Sequence, residues 1–201
     1  EFGKVADYIE ALAHSHVGNY MVFFPSYRYM EAVEQILKER DDNTYRWQMQ
    51  VNGMTEEERE QFLNTFEEKR TESFVGLCVL GGIFSEGIDL TNEKLIGTLI
   101  IGTGLPQVCN EREILKSYFD QKGLSGFDYA YRYPGMNKVL QAAGRVIRTE
   151  DDRGVILLLD ERFQREKGEE IFPKEWADCE RCRLDFVEEK IRLFWEKQTD
   201  M

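Results

Sequence analysis

The sequence predicts an α/β fold, a parallel central sheet with helices on both faces. Short apolar runs without alternation, at 20–24, 74–80, 95–101 and 155–159, have the length and texture of strands buried on two sides. Amphipathic stretches of helical period lie between them. Strands that alternate with helices build parallel sheets, because a parallel pair needs a long crossover connection.

In chain order, residues 4 to 15 read as a helix with Val5, Ile9, Leu12 and Ala13 on one side. A buried strand at 20–24 follows, then a helix over 27–39 and a short strand from Tyr45 to Gln50. Thr55-Glu-Glu-Glu58 is a capping box and opens a helix that turns Phe62, Leu63 and Phe66 inward. Phe74 to Leu80 and Leu95 to Ile101 are the central strands. Asn110 is placed to cap a helix reaching about Lys122. The aromatic stretch from Phe127 to Tyr133 reads as extended, with Tyr129, Tyr131 and Tyr133 on one face. A helix starts just beyond Pro134, and Val155 to Leu159 reads as a fully buried strand. From about Arg183 to Lys197 an apolar stripe of Leu184, Val187, Ile191, Phe194 and Trp195 marks a docked terminal helix. Without repeats, low-complexity tracts or a linker, residues 1–201 are expected to form one domain.

Composition bounds the function. Hydrophobic content of 42% and charged content of 32% suit a globular chain. No apolar run reaches the roughly 18 residues of a spanning helix, and no basic-then-apolar leader is visible, so no membrane partner and a cytoplasmic location are expected. The net charge of -12 argues against a broad electrostatic footprint on nucleic acid. Much of the excess sits in runs such as Glu56-Glu57-Glu58 and Glu150-Asp151-Asp152, which read as solvated faces. Cys179-x-x-Cys182 lacks the second pair that a closed zinc site needs, and His14 and His16 are too close in sequence to share a helix face, so no metal site is expected.

The stretch that carries chemistry is Gln141-Ala-Ala-Gly144-Arg145-Val-Ile-Arg148. On a continuous helix, residues three apart share a face. Guanidinium groups stay charged and offer a rigid fork of donors, so such a pair can grip a polyphosphate and stabilise charge that develops in phosphoryl transfer. The bland alternative is surface pairing with the acidic run at 150–152, worth at most about 1 kcal/mol.

This pattern resembles motif VI of superfamily-two helicases, in the branch that contains DinG and XPD. Three further segments agree in order. Gly18 to Tyr27 looks like motif IV, Phe84-Ser85-Glu86-Gly87-Ile-Asp89-Leu like motif V, and Gly154 to Phe163 like the strand and Asp-x-Arg-Phe signature that follows motif VI. The resemblance implies a RecA-like second motor domain of an ATP-dependent DNA helicase. It assigns Arg145 and Arg148 as arginine fingers, and Gln141, Gly144, Glu86, Gly87 and Asp89 to nucleotide binding and coupling. Ser26, Tyr27 and Ser85 are then the contacts to single-stranded DNA. ATP and Mg2+ would be held mainly by a first motor domain of the same polypeptide, and the molecule would be a monomer.

No Gly-x-x-x-x-Gly-Lys-Ser/Thr loop occurs in these 201 residues, so the isolated chain is expected not to turn over ATP. The strand before Asp160-Glu161 imitates a Walker-B segment. Without a phosphate loop upstream, Asp160 reads instead as the buried partner of a motif arginine. A different class also suits the sequence: a non-catalytic RecA-like adaptor that binds a protein through its acidic surface or terminal helix. An RNA translocase is a third reading, because contacts to backbone are blind to sequence.

Overall fold

The computed structural model describes residues 1–68, 70–84, 94–147, 152–166 and 171–199, with backbone alone at 166, 198 and 199. Its five strands are β1 (Asn19–Phe24), β2 (Tyr45–Met49), β3 (Ser73–Val79), β4 (Gly97–Ile101) and β5 (Val155–Leu159). All pair in parallel, in the order β2-β3-β1-β4-β5. The α/β class read from the sequence is the one observed.

Strand alternation divides the core into two layers. Tyr20, Val22 and Phe24 of β1 face α1 (Phe2–Ser15), α2 (Tyr27–Arg40) and the carboxy-terminal α7 (Val187–Thr199). Met21 and Phe23 face the opposite way, toward α3 (Glu56–Asn64) and α5 (Tyr133–Ala143). Phe62 and Phe66 approach so closely under β3 that a Cβ on Gly76 would lie 2.7 Å from the Phe66 ring. Burying each such aromatic contributes about 1.5–3 kcal/mol.

The capping box forms as expected: Thr55 accepts from the Glu58 N–H, and Glu58 accepts from the Thr55 N–H at 2.7 Å. The terminal helix docks as expected, with Val187 and Ile191 buried in the α1 layer and Trp195 stacked on His16 at 4.8 Å.

Three expectations are corrected. The helix α4 (Asn110–Gln121) is capped by extended Cys109, so Asn110 is its first residue and not its cap. The stretch read as extended from Phe127 to Tyr133 is instead a π-helical turn, Asp128–Arg132. Arg112 donates to the Ala130 carbonyl, Tyr131 donates to Glu113 at 2.6 Å, and Phe119 stacks on Tyr129 at 4.1 Å; these ties to α4 coil the segment. Its tyrosines therefore diverge, Tyr131 buried and Tyr129 and Tyr133 exposed. Finally, β5 is half-buried and not fully buried, because it lies at the end of the sheet.

The loop after β4 meets the first turn of α5 at backbone distance. A Cβ on Gly104, at φ +66°, would stand 2.6 Å from the Gly135 carbonyl, and a Cβ on Gly135 would stand 2.7 Å from the Thr103 carbonyl. Helix propensity alone favours Gly135→Ala by up to about 1 kcal/mol. The contact reverses the sign: Gly135→Ala is expected to lower the thermal midpoint, and a raised midpoint would show that the two backbones have room to part.

Candidate functional site

Parallel pairing brings the carboxyl ends of all five strands to one edge, where ligands of open α/β sheets bind. Pro25-Ser26-Tyr27 leaves β1, Leu80 to Phe84 leaves β3, Gly102 to Leu105 leaves β4, and Asp160 to Phe163 leaves β5. Gly81, Gly102 and Gly104 turn these exits with φ between +66° and +81°, a region that suits glycine.

Two adjoining hollows lie along the edge. One, of about 220 Å3, is lined by Thr103, Leu105, Phe127, Arg132, Met136 and Arg162. The other, of about 120 Å3, is lined by Pro25, Leu80, Gly102, Gly104, Lys138 and Arg162. Three cations thus border this edge of a chain whose net charge is -12. Arg132 and Lys138 were not singled out in the sequence. The available signal was that Lys138 stands three residues before Gln141, on the same face of α5.

Ser26 caps α2, its hydroxyl accepting from the Tyr29 N–H at 3.2 Å, which leaves the hydroxyl hydrogen for a ligand. Tyr27 opens that helix, and its hydroxyl accepts from Gln50 Nε2 at 2.7 Å. Burial, and secondarily the nearby Cys78, pushes the Tyr27 phenol up from its ordinary value, so it keeps its proton.

The motif-VI reading needs one correction: α5 ends at Ala143, so Gly144 and Arg145 do not continue the helix. Hydrogen bonds from Arg145 N to Ala142 O and from Val146 N to Ala143 O, each reaching back three residues, tighten the chain into a turn. Buried Ala143 and Val146 pin this turn, and half-buried Arg145 sits between them. Gly154 closes over it, since a Cβ there would strike the Val146 side chain. Gln141 is exposed on the last turn of α5. Arg148 and the expected motif-V residues Ser85, Glu86, Gly87 and Asp89 lie outside the described residues.

Asp160, expected to pair with a motif arginine, is engaged among the described residues by Arg162. Its carboxylate accepts from Arg162 Nε at 2.9 Å, from Arg162 Nη2 at 2.6 Å and from the Arg162 N–H at 2.9 Å. A spacing of two lets backbone and side chain of one residue close on the same carboxylate. Arg162 holds the Asp160 carboxyl below the usual carboxylate range. Among the described residues no group of three or more His, Cys, Asp or Glu is placed to hold a metal ion, and no helix is long and apolar enough to cross a membrane.

The profile of the helicase C-terminal domain matches residues 9–179. The chain belongs to the helicase C-terminal domain family, in the XPD- and DinG-like branch of superfamily two. It is 26% identical over 174 residues to the probable ATP-dependent helicase MJ0942 of Methanocaldococcus jannaschii, covering 75% of this chain and 26% of that protein. It is 29% identical to the general transcription and DNA repair factor IIH helicase subunit XPD/RAD3 of Saccharomyces cerevisiae, covering 74% of this chain and 20% of the other. The chain therefore spans about a quarter or less of these relatives. Among solved structures, an XPD helicase matches 81% of this chain and 28% of its own, with TM-score 0.63 and 22% identity. The C-terminal domain of the DEAD-box protein Dbp5 matches 96% and 89% with TM-score 0.53 and 14% identity, and both share the fold. The helicase C-terminal domain is thus RecA-like, as the ordered motifs imply.

The Asp160–Arg162 pair gives a pH signature. A depressed carboxyl pKa adds stability that is full above the ordinary Asp value of about 3.9 and is lost as pH falls through the lower folded value. Asp160→Asn is therefore expected to lower the thermal midpoint near pH 7, with the deficit against wild type shrinking below about pH 4. A deficit independent of pH would remove the ion pair as its cause.

Proposed function

We propose that this domain, spanning 1–201, is the second motor domain of an ATP-dependent DNA helicase that translocates on single-stranded DNA and unwinds duplexes. The observation that carries the reading is the pinned turn holding Arg145 immediately after α5, in a family of helicase C-terminal domains. Fixed cations act best on charge that develops in the transition state, because no reorganisation is needed at the moment of reaction. Arg145 and Arg148 would stabilise the negative charge that grows as the terminal phosphate of ATP is transferred to water. Gln141 supplies an amide to the phosphates or to motif V, and Gly144 lets the chain leave the helix tightly.

The donor set suits polyphosphate, being made of guanidinium and amide groups. ATP and Mg2+ would be held mainly by the first motor domain of the same polypeptide, and Glu86, Gly87 and Asp89 would couple its nucleotide state to the strand. Ser26, Tyr27 and Ser85 would touch backbone phosphates, which position a strand without reading it. Lys138 at the carboxyl edge, beside the ion-paired Arg132 and Arg162, supports that path.

A large partner surface is supported by α4, which buries none of its residues and exposes Ile114 by 70% and Tyr118 by 53%. The adaptor alternative loses its terminal helix, whose apolar side is occupied by α1.

In the intact helicase, Arg145→Ala and Arg148→Ala are each expected to lower DNA-stimulated ATP hydrolysis by about a thousandfold or more while nucleotide affinity changes little. Near-normal turnover in either variant would remove that arginine from the mechanism. The isolated chain is expected to show no turnover.

A further inference from the structure

We propose that Gln50 is a positioning residue of the strand-binding edge, whose buried amide fixes the Tyr27 hydroxyl as a hydrogen donor for a backbone phosphate of single-stranded nucleic acid. The proposal rests on the reading of Tyr27 as a strand contact and adds the group that orients it.

Gln50 is the residue after β2, and its backbone extends the ladder by donating to the Leu77 carbonyl at 2.8 Å. Only 1% of its surface is exposed, although strand positions 46 and 48 are open to solvent. A glutamine this deep is retained only where its amide is satisfied. Gln50 Oε1 accepts from the Val79 N–H at 3.0 Å. A backbone N–H can only donate, so this contact settles which end of the amide is oxygen. The other end, Nε2, must then donate to the Tyr27 hydroxyl oxygen.

The consequence for Tyr27 follows from its valence. One lone pair of the hydroxyl is taken by the amide, so its own hydrogen has to point elsewhere. No acceptor among the described residues takes that hydrogen. Tyr27 stands at the exit of β1 beside Pro25, which lines the smaller hollow with Lys138 and Arg162. A phosphate oxygen, an acceptor only, matches a hydroxyl whose one contact is a donor and whose own hydrogen is unspent. Gln50 thereby joins three strand ends, those of β1, β2 and β3, through one amide.

Glutamate is the discriminating replacement, because it keeps the shape and reverses the polarity. In Gln50→Glu, an ionised carboxylate accepts from Val79 and also draws in the Tyr27 hydrogen. A protonated carboxyl donates to Tyr27, as the glutamine amide does. Binding of a labelled single-stranded deoxythymidine oligonucleotide to the intact helicase is measured by anisotropy between about pH 5 and 8, the range to which burial raises a carboxyl. Tyr27→Phe is expected to weaken binding about tenfold, the worth of a hydrogen bond to a charged acceptor. Gln50→Glu is expected to match that loss at the alkaline end and to regain wild-type affinity at the acid end. The double variant is expected to bind no more weakly than Tyr27→Phe. Wild-type affinity in Tyr27→Phe would overturn the strand-contact reading itself. A loss in Tyr27→Phe with a pH-independent Gln50→Glu would overturn the role of Gln50 and leave that reading standing. Should Gln50→Glu fail to fold, Gln50→Met in the same cycle decides: a loss that adds to that of Tyr27→Phe overturns the proposal, and a loss absorbed by it upholds the proposal.

Discussion

Parallel pairing of all five strands is the constraint on which the rest of the structure depends. In a parallel sheet every strand ends at the same side, so each exit loop, wherever it falls in the chain, arrives at one edge. Residues as distant as Pro25, Leu80, Thr103 and Arg162 become neighbours by that rule alone. The helices that return the chain fill both faces, and the alternation of Met21 and Phe23 against Tyr20, Val22 and Phe24 fixes the register. A slip by one residue would exchange the two layers.

Backbone geometry then decides how near the exits come. Gly104 and Gly135 let the loop after β4 lie against α5, and Gly154 lies over Val146. These close approaches hold the start of α5 and the turn beyond its end, so Arg145 is carried by a framework braced at both ends. The acidic excess of the chain is compatible with a strand partner because charge acts locally. At physiological salt the screening length is about 8 Å, and the cations that matter are those at the edge.

Much of this was legible in the sequence. Apolar runs at 20–24, 74–80 and 95–101 announced the strands because burial on two faces removes polar alternation, the run at 155–159 announced a strand but overstated its burial, and Thr55 with Glu58 announced a helix start through local hydrogen bonding. What escaped was set by contacts distant in sequence. The coil of Asp128–Arg132 is imposed by Arg112, Glu113 and Phe119 of α4, where the alternating tyrosines alone favoured an extended chain. The end of α5 at Ala143 follows from the burial of Val146 beneath Gly154, which no helical period reveals. Gln50 escaped because a polar residue that ends a short strand carries no sign of burial until Val79 and Tyr27 are brought beside it. The family signature supplied residue roles that periodicity does not contain.

Photo-crosslinking tests most directly whether the carboxyl edge is the working edge. Single-stranded DNA bearing a photoreactive thymidine analogue would be bound to the intact helicase, irradiated and mapped by mass spectrometry of the crosslinked peptides. Adducts within this domain are expected on peptides carrying Ser26-Tyr27, Leu105 or Lys138. Adducts confined to the opposite edge, on peptides carrying Val17-Gly18, Asn43-Thr44 or Arg153, would contradict it.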